Sequence, residues 1–397
     1  MSGGRIAALA ASLLAALCLG MWLGGHPGKL PDLVRDAFVD EAAGLSAEAA
    51  ELIEGNYFRE VPQDELGAAS LRGMVRGLRQ RYRDRFSTYL SPRMRERFDE
   101  EISGRFSGIG LGVTAVPRGL RADRVFPRSP AARAGIEPGD LVVSVNGRSI
   151  AGESSERASE KIKGPEGSEV EIGVVRPPSE KARELRLTRE QIALPVATAE
   201  VETVAGTKLG HVSFYGFSSG AHGQLREAVR RAERRGAEGI VLDLRGNGGG
   251  LLQEAVLSAS VFLPKDKVVV STKSRTQGET VYKAVGDPLP RRPMVVLIDG
   301  GTASAAEALA AALADGAGAV VVGERSYGKG VFQQELDLAN GGALTLTIGE
   351  YFTPSGANLG GNGIDPDVAA RDRPGTAPDE ALQRALEVLA RQAQDQG

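Results

Sequence analysis

The chain has few of the side chains that most often carry acid–base and metal chemistry: its 397 residues hold three histidines and one cysteine. A single cysteine, Cys18, excludes an intrachain disulfide and any metal site built from cysteines. His26 follows an apolar N-terminal stretch, His211 lies in a strand-like run and His222 follows a Ser-Ser-Gly turn, so none sits in a motif that would present it as a base. An excess of one charge is also missing, with 48 basic against 51 acidic residues. Arg230, Arg231, Arg234 and Arg235 alternate with acids in a helical pattern and read as a solvated face, which argues against nucleic acid as a partner. Long apolar runs are absent but for one, Ile6 to Gly25, charge-free after Arg5 and with Trp22 near its far end. Such a run is long enough to cross a bilayer and also reads as a signal peptide. No clear Ala-x-Ala site precedes Gly24, and Leu17 before Cys18 argues against lipid attachment. Either reading exports the rest of the chain, to a periplasm or the outer face of a cytoplasmic membrane, with membrane association through this segment left open.

What the chain does have is glycine, 52 residues of it, and the glycines gather around three stretches. The first runs from Met294 through Val295-Val296-Leu297-Ile298-Asp299-Gly300-Gly301-Thr302-Ala303-Ser304-Ala305-Ala306-Glu307. It begins as a buried strand, breaks at a glycine pair and places Ser304 where an Ala-rich helix starts, so Ser304 is a candidate nucleophile. A serine needs an adjacent base. With no histidine in place, the candidate is Lys329, between Gly328 and Gly330 and after the strand Ala319 to Gly323. A strand-helix-strand unit returns the chain to the same edge of a sheet, where the two residues can meet. To act as a base near neutral pH, Lys329 must titrate far below the ordinary lysine range, an effect worth about 3 to 4 kcal/mol. Burial beside Tyr327, Val331 and Phe332 is expected to supply it.

Each residue alone has a plainer reading. Ser304 with Glu307 is a capping box, and a lysine between glycines is commonly a solvated loop cation. The third stretch, Gly239-Ile240-Val241-Leu242-Asp243-Leu244-Arg245-Gly246-Asn247-Gly248-Gly249-Gly250-Leu251-Leu252, favours the chemical reading. A buried strand there enters a loop of small residues whose exposed N–H groups, with that of Ala305, can hold an oxyanion. A phosphate cradle is disfavoured, because the Gly-Lys-Ser/Thr ending of a P-loop is missing.

The Asp-Leu-Arg-x-Asn-x-Gly-Gly loop, the Gly-x-Ala-Ser-Ala-x-Glu elbow, the Gly-Lys-Gly-x-x-Gln segment and the run from Tyr351 to Asp367 occur in one order. In this the chain resembles the carboxyl-terminal processing, or tail-specific, proteases, PDZ-containing enzymes with a Ser/Lys dyad, over most of its length after about residue 45. The resemblance implies a Ser304 and Lys329 dyad, Gln333 orienting the lysine, and oxyanion amides on Gly249 and Ala305. Two positions depart from the family pattern: Gly248 stands where proline is usual, and Asp299 where asparagine is common. An ionised Asp299 near Lys329 would favour the charged amine, the wrong form for a base.

Arg105 to Val113, then Ser129-Pro130-Ala131-Ala132-Arg133-Ala134-Gly135-Ile136-Glu137-Pro138-Gly139-Asp140, then Val142 to Gly147, together resemble a PDZ domain. Amides of Gly108, Ile109 and Gly110 are expected to take a C-terminal carboxylate, with Ala158 and Ile162 lining the groove.

The expected fold class is α/β within a multi-domain α+β chain. A signal peptide or membrane anchor occupies residues 1–28 and a helical region 29–103, with Leu45, Ala49, Leu52 and Ile53, then Leu66, Leu71, Met74, Val75 and Leu78, at apolar positions. A PDZ domain (104–188) is inserted before an α/β serine-protease core (189–372), which the resemblance implies is of the ClpP/crotonase-like type. An amphipathic helix lies in 373–397. The resulting reading is an exported serine endopeptidase that cleaves protein substrates near their C-termini, with no metal and no cofactor. Its expected partners are proteins or peptides bound by their C-terminal tails, with an adaptor protein and a homo-oligomer left open. The alternative is a non-catalytic PDZ-containing peptide-binding or chaperone protein.

Overall fold

The computed structural model describes residue 20, residues 41–372 and residues 379–396, so the apolar segment 6–25 lies almost wholly outside the described residues. The described residues form two compact units, one within residues 41–91 with 335–346 and the other within 92–334 with 347–396.

The first unit contains the helices Glu41–Asn56 and Gln63–Tyr82 and the short strand Thr88–Leu90, which pairs antiparallel with Ala343 to Thr345. The helical periodicity is realised, but the expected apolar stripe is not a core. Val75 is buried, whereas Leu45, Leu52, Ile53, Met74 and Leu78 are exposed.

In the second unit an antiparallel sheet of Leu111–Val116, Gly119–Val125, Leu141–Val145, Glu169–Val175 and Arg183–Thr188 encloses a core of its own around Leu120, Val142, Ile150 and Ile172. Asn146 and Gly147 both take positive φ (49° and 70°), as a tight hairpin requires. Arg105–Gly108 pairs antiparallel with Glu190–Ala193, so this module leaves and rejoins the chain at one point.

The rest of the unit is an α/β layer, whose elements we number from its first strand. The order along the chain is β1 (Ala197–Val204), β2 (Thr207–Phe214), α1 (Ala221–Arg234), β3 (Gly239–Asp243), α2 (Leu252–Ala259), β4 (Met294–Ile298), α3 (Ala305–Ala317), β5 (Val320–Gly323), β6 (Val368–Ala369) and α4 (Glu380–Gln396). The sheet runs β1-β2-β3-β4-β5-β6, antiparallel only between β1 and β2. All five residues of β3 and all five of β4 are buried, because helices cover both faces. Leu225, Val256 and Leu309 of α1, α2 and α3 belong to the core on one face, while Ala385, Leu386 and Leu389 of α4 cover the other. The sequence-predicted apolar face of the last helix therefore packs on its own sheet. Lys267 to Tyr282 falls in a hairpin of Val268–Ser274 and Gly278–Lys283.

Candidate functional site

Because β3 and β4 are parallel neighbours, their C-terminal ends open on the same edge and the loops after them are driven together. The register continues past the strands, with Leu244 N–H bonded to Leu297 O at 2.9 Å. Fully buried Asn247 then ties the two loops: its Nδ2 donates to Phe214 O at 2.8 Å and its carbonyl accepts the Ala303 N–H at 2.9 Å. Thr302 Oγ1 donates to Leu244 O at 2.9 Å, closing the elbow from the other side.

Ser304 follows with φ 58° and ψ −118° and only 5% exposure. A side chain in that region carries strain of about 1 to 3 kcal/mol and persists only where its surroundings impose it. They do so here through Glu307, whose Oε2 accepts the Ser304 N–H at 2.8 Å, and through Gly249. A Cβ at Gly249 (φ +99°) would lie 3.0 Å from both Ser304 Cβ and Ala305 N and 2.8 Å from Ala303 O. Only glycine lets this loop approach the elbow so closely.

The expected oxyanion amides differ in state. Ala305 opens α3, where N–H groups lack intrahelical partners. The Gly249 N–H, by contrast, donates to Asn247 Oδ1 at 3.0 Å and is engaged inside its own loop, because a short amide side chain readily bonds the backbone two residues on.

The lysine loop reaches the same carboxylate. Glu307 Oε1 accepts Ser326 Oγ at 2.5 Å and the Gly328 N–H at 2.7 Å, and Oε2 accepts the Lys329 N–H at 2.9 Å. Tyr327 N–H donates to Thr302 O at 2.9 Å. A Cβ at Gly330 would stand 2.0 Å from Gly360 N, and one at Gly328 (φ +81°) 3.0 Å from Gly363 N, so both glycines are needed for close backbone packing. Burial pushes the Lys329 amine below the ordinary lysine value, while the charge of Glu307 acts in the opposite direction.

Two expectations change. Tyr327, expected to keep water from the lysine, is itself an exposed residue. Asp299, expected to oppose a neutral lysine, is instead an anchor: its Oδ1 accepts the N–H groups of Gly246 and Gly301, each at 2.9 Å, and the carboxylate acting on Lys329 is that of Glu307. Gly248 has open space around its Cα. Gln333 lies on the strand Val331–Asp337 with its Nε2 donating to Thr347 Oγ1 at 3.3 Å. Of the histidines, His211 Nε2 is 3.1 Å from Asp243 Oδ2 and His222 Nδ1 is 2.8 Å from Glu254 Oε2, while His26 lies outside the described residues.

In the inserted module, Gly108, Ile109, Gly110 and Ile162 line a cavity of about 320 Å³, together with Phe106 and Lys163. Gly110 (φ +80°) is again obligatory, since a Cβ there would fall 2.2 Å from Ser129 Cβ. Ala158 packs in the module's core and does not line this cavity; Ser159, one residue on, does. Lys163 Nζ pairs with Glu100 Oε2 at 2.5 Å.

The role of Glu307 beyond the cap was not visible in the sequence, because its further partners lie 19 to 22 positions away. Tyr351 also lies beside the lysine loop: it is 3% exposed and its N–H donates to Gly330 O at 2.8 Å.

Residues 208–370 match peptidase family S41 and residues 122–176 match the PDZ domain. The carboxy-terminal processing protease CtpB of Bacillus subtilis (strain 168) is 32% identical over 336 residues, covering 85% of this chain and 69% of the relative. CtpA of the same organism is 32% identical over 322 residues, covering 81% and 67%. Among solved structures, the photosystem II D1 C-terminal processing protease superposes with a TM-score of 0.50 at 28% identity, covering 88% of this chain and 98% of that one.

Proposed function

Because the chain belongs to the carboxy-terminal processing proteases, serine-type peptidases of family S41 that carry a PDZ domain, we propose that it cleaves protein substrates near their C-termini with Ser304 as nucleophile and Lys329 as general base. The observation that carries this reading is the shared carboxylate: Glu307 binds the N–H of the elbow serine and that of the loop lysine with one oxygen. A lysine pushed toward its neutral form by burial can take the serine proton as the hydroxyl attacks. The lysinium then gives that proton to the leaving amine, and water hydrolyses the acyl-enzyme with Lys329 again as base. The N–H of Ala305, at the positive end of α3, stabilises the oxyanion. A second donor from the glycine loop becomes available once the Gly249 N–H leaves Asn247. Gln333 orients the lysine. The PDZ module takes the free carboxylate of the substrate at Gly108 to Gly110. Export through residues 6–25 to a periplasm or the outer face of a cytoplasmic membrane completes the reading.

The test is hydrolysis of an unfolded protein by wild type, Ser304→Ala and Lys329→Ala. Both variants lose cleavage while keeping the wild-type circular dichroism spectrum. Cleavage by either at the wild-type rate removes the dyad. A substrate whose C-terminus is amidated is cut more slowly than its free acid; equal rates remove the carboxylate reading.

A further inference from the structure

Buried Glu307 is surrounded by donors. Its Oε2 takes the Ser304 and Lys329 N–H groups at 2.8 and 2.9 Å, and its Oε1 takes the Gly328 N–H at 2.7 Å and the Ser326 hydroxyl at 2.5 Å. None of the four offers a lone pair to a carboxyl proton, so the group is held as a carboxylate, a negative charge buried beside the loop that carries the base. Three of these donors are backbone amides, and the Ser326 hydroxyl is the only side chain among them. Its direction is fixed by its second bond: Ser326 Oγ accepts the Ile364 N–H at 2.7 Å, which leaves its single proton for Glu307. The Ser326 N–H in turn binds Ile364 O at 3.1 Å, and a Cβ at Gly363 (φ +66°) would fall 2.9 Å from Ser326 Oγ, so the backbone of 363–364 seats the hydroxyl closely.

We propose that Ser326 is a positioning residue of this site, its hydroxyl fixing Oε1 of Glu307 and offsetting the carboxylate's charge, so that Glu307 joins the elbow to the lysine loop without holding the base in its charged form. The inference rests on the reading of Lys329 as general base. A hydroxyl aimed at a carboxylate sets its positive end against the charge and weakens the field felt by neighbouring groups, an effect that is large where water is scarce. Burial pushes the Lys329 amine down and the charge of Glu307 pushes it up, so whatever offsets that charge favours the neutral amine. The other ionisable groups of these segments are engaged elsewhere. Asp299 binds the Gly246 and Gly301 N–H groups, while Arg325 pairs with Asp365 at 2.6 Å and Arg371 with Glu324 at 3.4 Å, both at the surface. Burial pushes the Tyr351 phenol up to about 12, so that group stays neutral.

The experiment measures the pH dependence of kcat/KM in peptide hydrolysis by the full chain as wild type, Ser326→Ala, Glu307→Gln and the double variant. Ser326→Ala leaves the charge less offset, and the acid limb is expected to move to higher pH, seen as a loss of about 3- to 10-fold on the acid side that shrinks as pH rises. A loss of one size at every pH marks a strut with no electrostatic part and overturns the proposal. In the Glu307→Gln background there is no charge to offset, so removing the hydroxyl is expected to leave the limb in place; an equal shift there also overturns the proposal. A limb that moves in Glu307→Gln but not in Ser326→Ala overturns the proposal and leaves the base standing. One that moves in neither removes Lys329 as its source, and the proposal with it. Ser326→Cys is close to serine in shape but donates weakly, and it is expected to move the limb in the same direction as Ser326→Ala. An unmoved limb in that variant overturns the proposal even where Ser326→Ala fails to fold.

Discussion

Ser304 and Lys329 are joined through a single oxygen atom: Oε2 of buried Glu307 accepts the Ser304 N–H at 2.8 Å and the Lys329 N–H at 2.9 Å. The separation of the elbow and the lysine loop is therefore fixed by a carboxylate, while the same charge opposes the deprotonation that a base requires. Geometry and electrostatics pull in different directions at this residue.

Glu307→Gln separates the two effects. Its amide presents an NH₂ group to N–H and O–H donors, leaving at least one buried donor unpaired, so stability falls by about 1 to 3 kcal/mol in urea titration. Removing the negative charge also removes the influence that raises the Lys329 pKa, so the acid limb of kcat/KM moves to lower pH. A limb that stays in place shows that Lys329 does not set it.

Burial of Lys329 carries a stability signature. Its folded pKa lies below the unfolded value, so the unfolded chain binds more protons between the two and stability rises as pH increases through that window. Lys329→Met lacks this dependence. Wild type therefore gains stability relative to Lys329→Met between neutral pH and about pH 10, measured by denaturant midpoints across that range.

Neighbouring glycines separate contact from flexibility. Gly249→Ala drives a Cβ into Ala303 O, Ala305 N and Ser304 Cβ at a left-handed φ. A displacement of the elbow on the order of 1 Å lowers kcat by about 10²-fold. Gly248→Ala meets nothing within 4 Å and stays within about 3-fold of wild type. Peptide hydrolysis by the two variants, side by side, provides the measurement.

Arg245 ties the glycine loop to the last helix, pairing with buried Asp243 at 2.7 Å and with Asp379 at 2.7 Å. Burial raises the Asp243 carboxyl, but hydrogen bonds from His211 and Arg245 outweigh it and hold the group below its ordinary value. The stability this contributes is present above the unfolded pKa and lost as pH falls through the folded one. Arg245→Met leaves the buried carboxylate without its arginine, costs about 3 to 5 kcal/mol, and moves acid unfolding to higher pH, as followed by circular dichroism.

Much of this was legible in the sequence because it is local. The buried strands β3 and β4, the turn into α3 and the Asn146-Gly147 hairpin each declare themselves within a few residues. Non-local contacts were not legible. Nothing in the Asp299 turn reveals that its carboxylate binds Gly246, 53 positions away, and the capping role of Glu307 masked its grip on Ser326, Gly328 and Lys329. Tyr351 reads in the sequence as one aromatic residue of a strand, and neither its pairing with Thr272 nor its N–H bond to Gly330 O can be read there. The apolar periodicity of residues 41–82 was real, but periodicity cannot say whether a partner is present to cover it.

The approach of Gly330 to Gly360 bears on how such a site can be re-engineered. A methyl group at position 330 would stand 2.0 Å from Gly360 N, so only glycine lets these two backbones pack in contact. Grafting the lysine segment of a relative into this scaffold therefore calls for transplanting the 353–363 turn in the same step. A chimera whose lysine segment brings any side chain to position 330 against the native turn meets Gly360 N, one residue from its base.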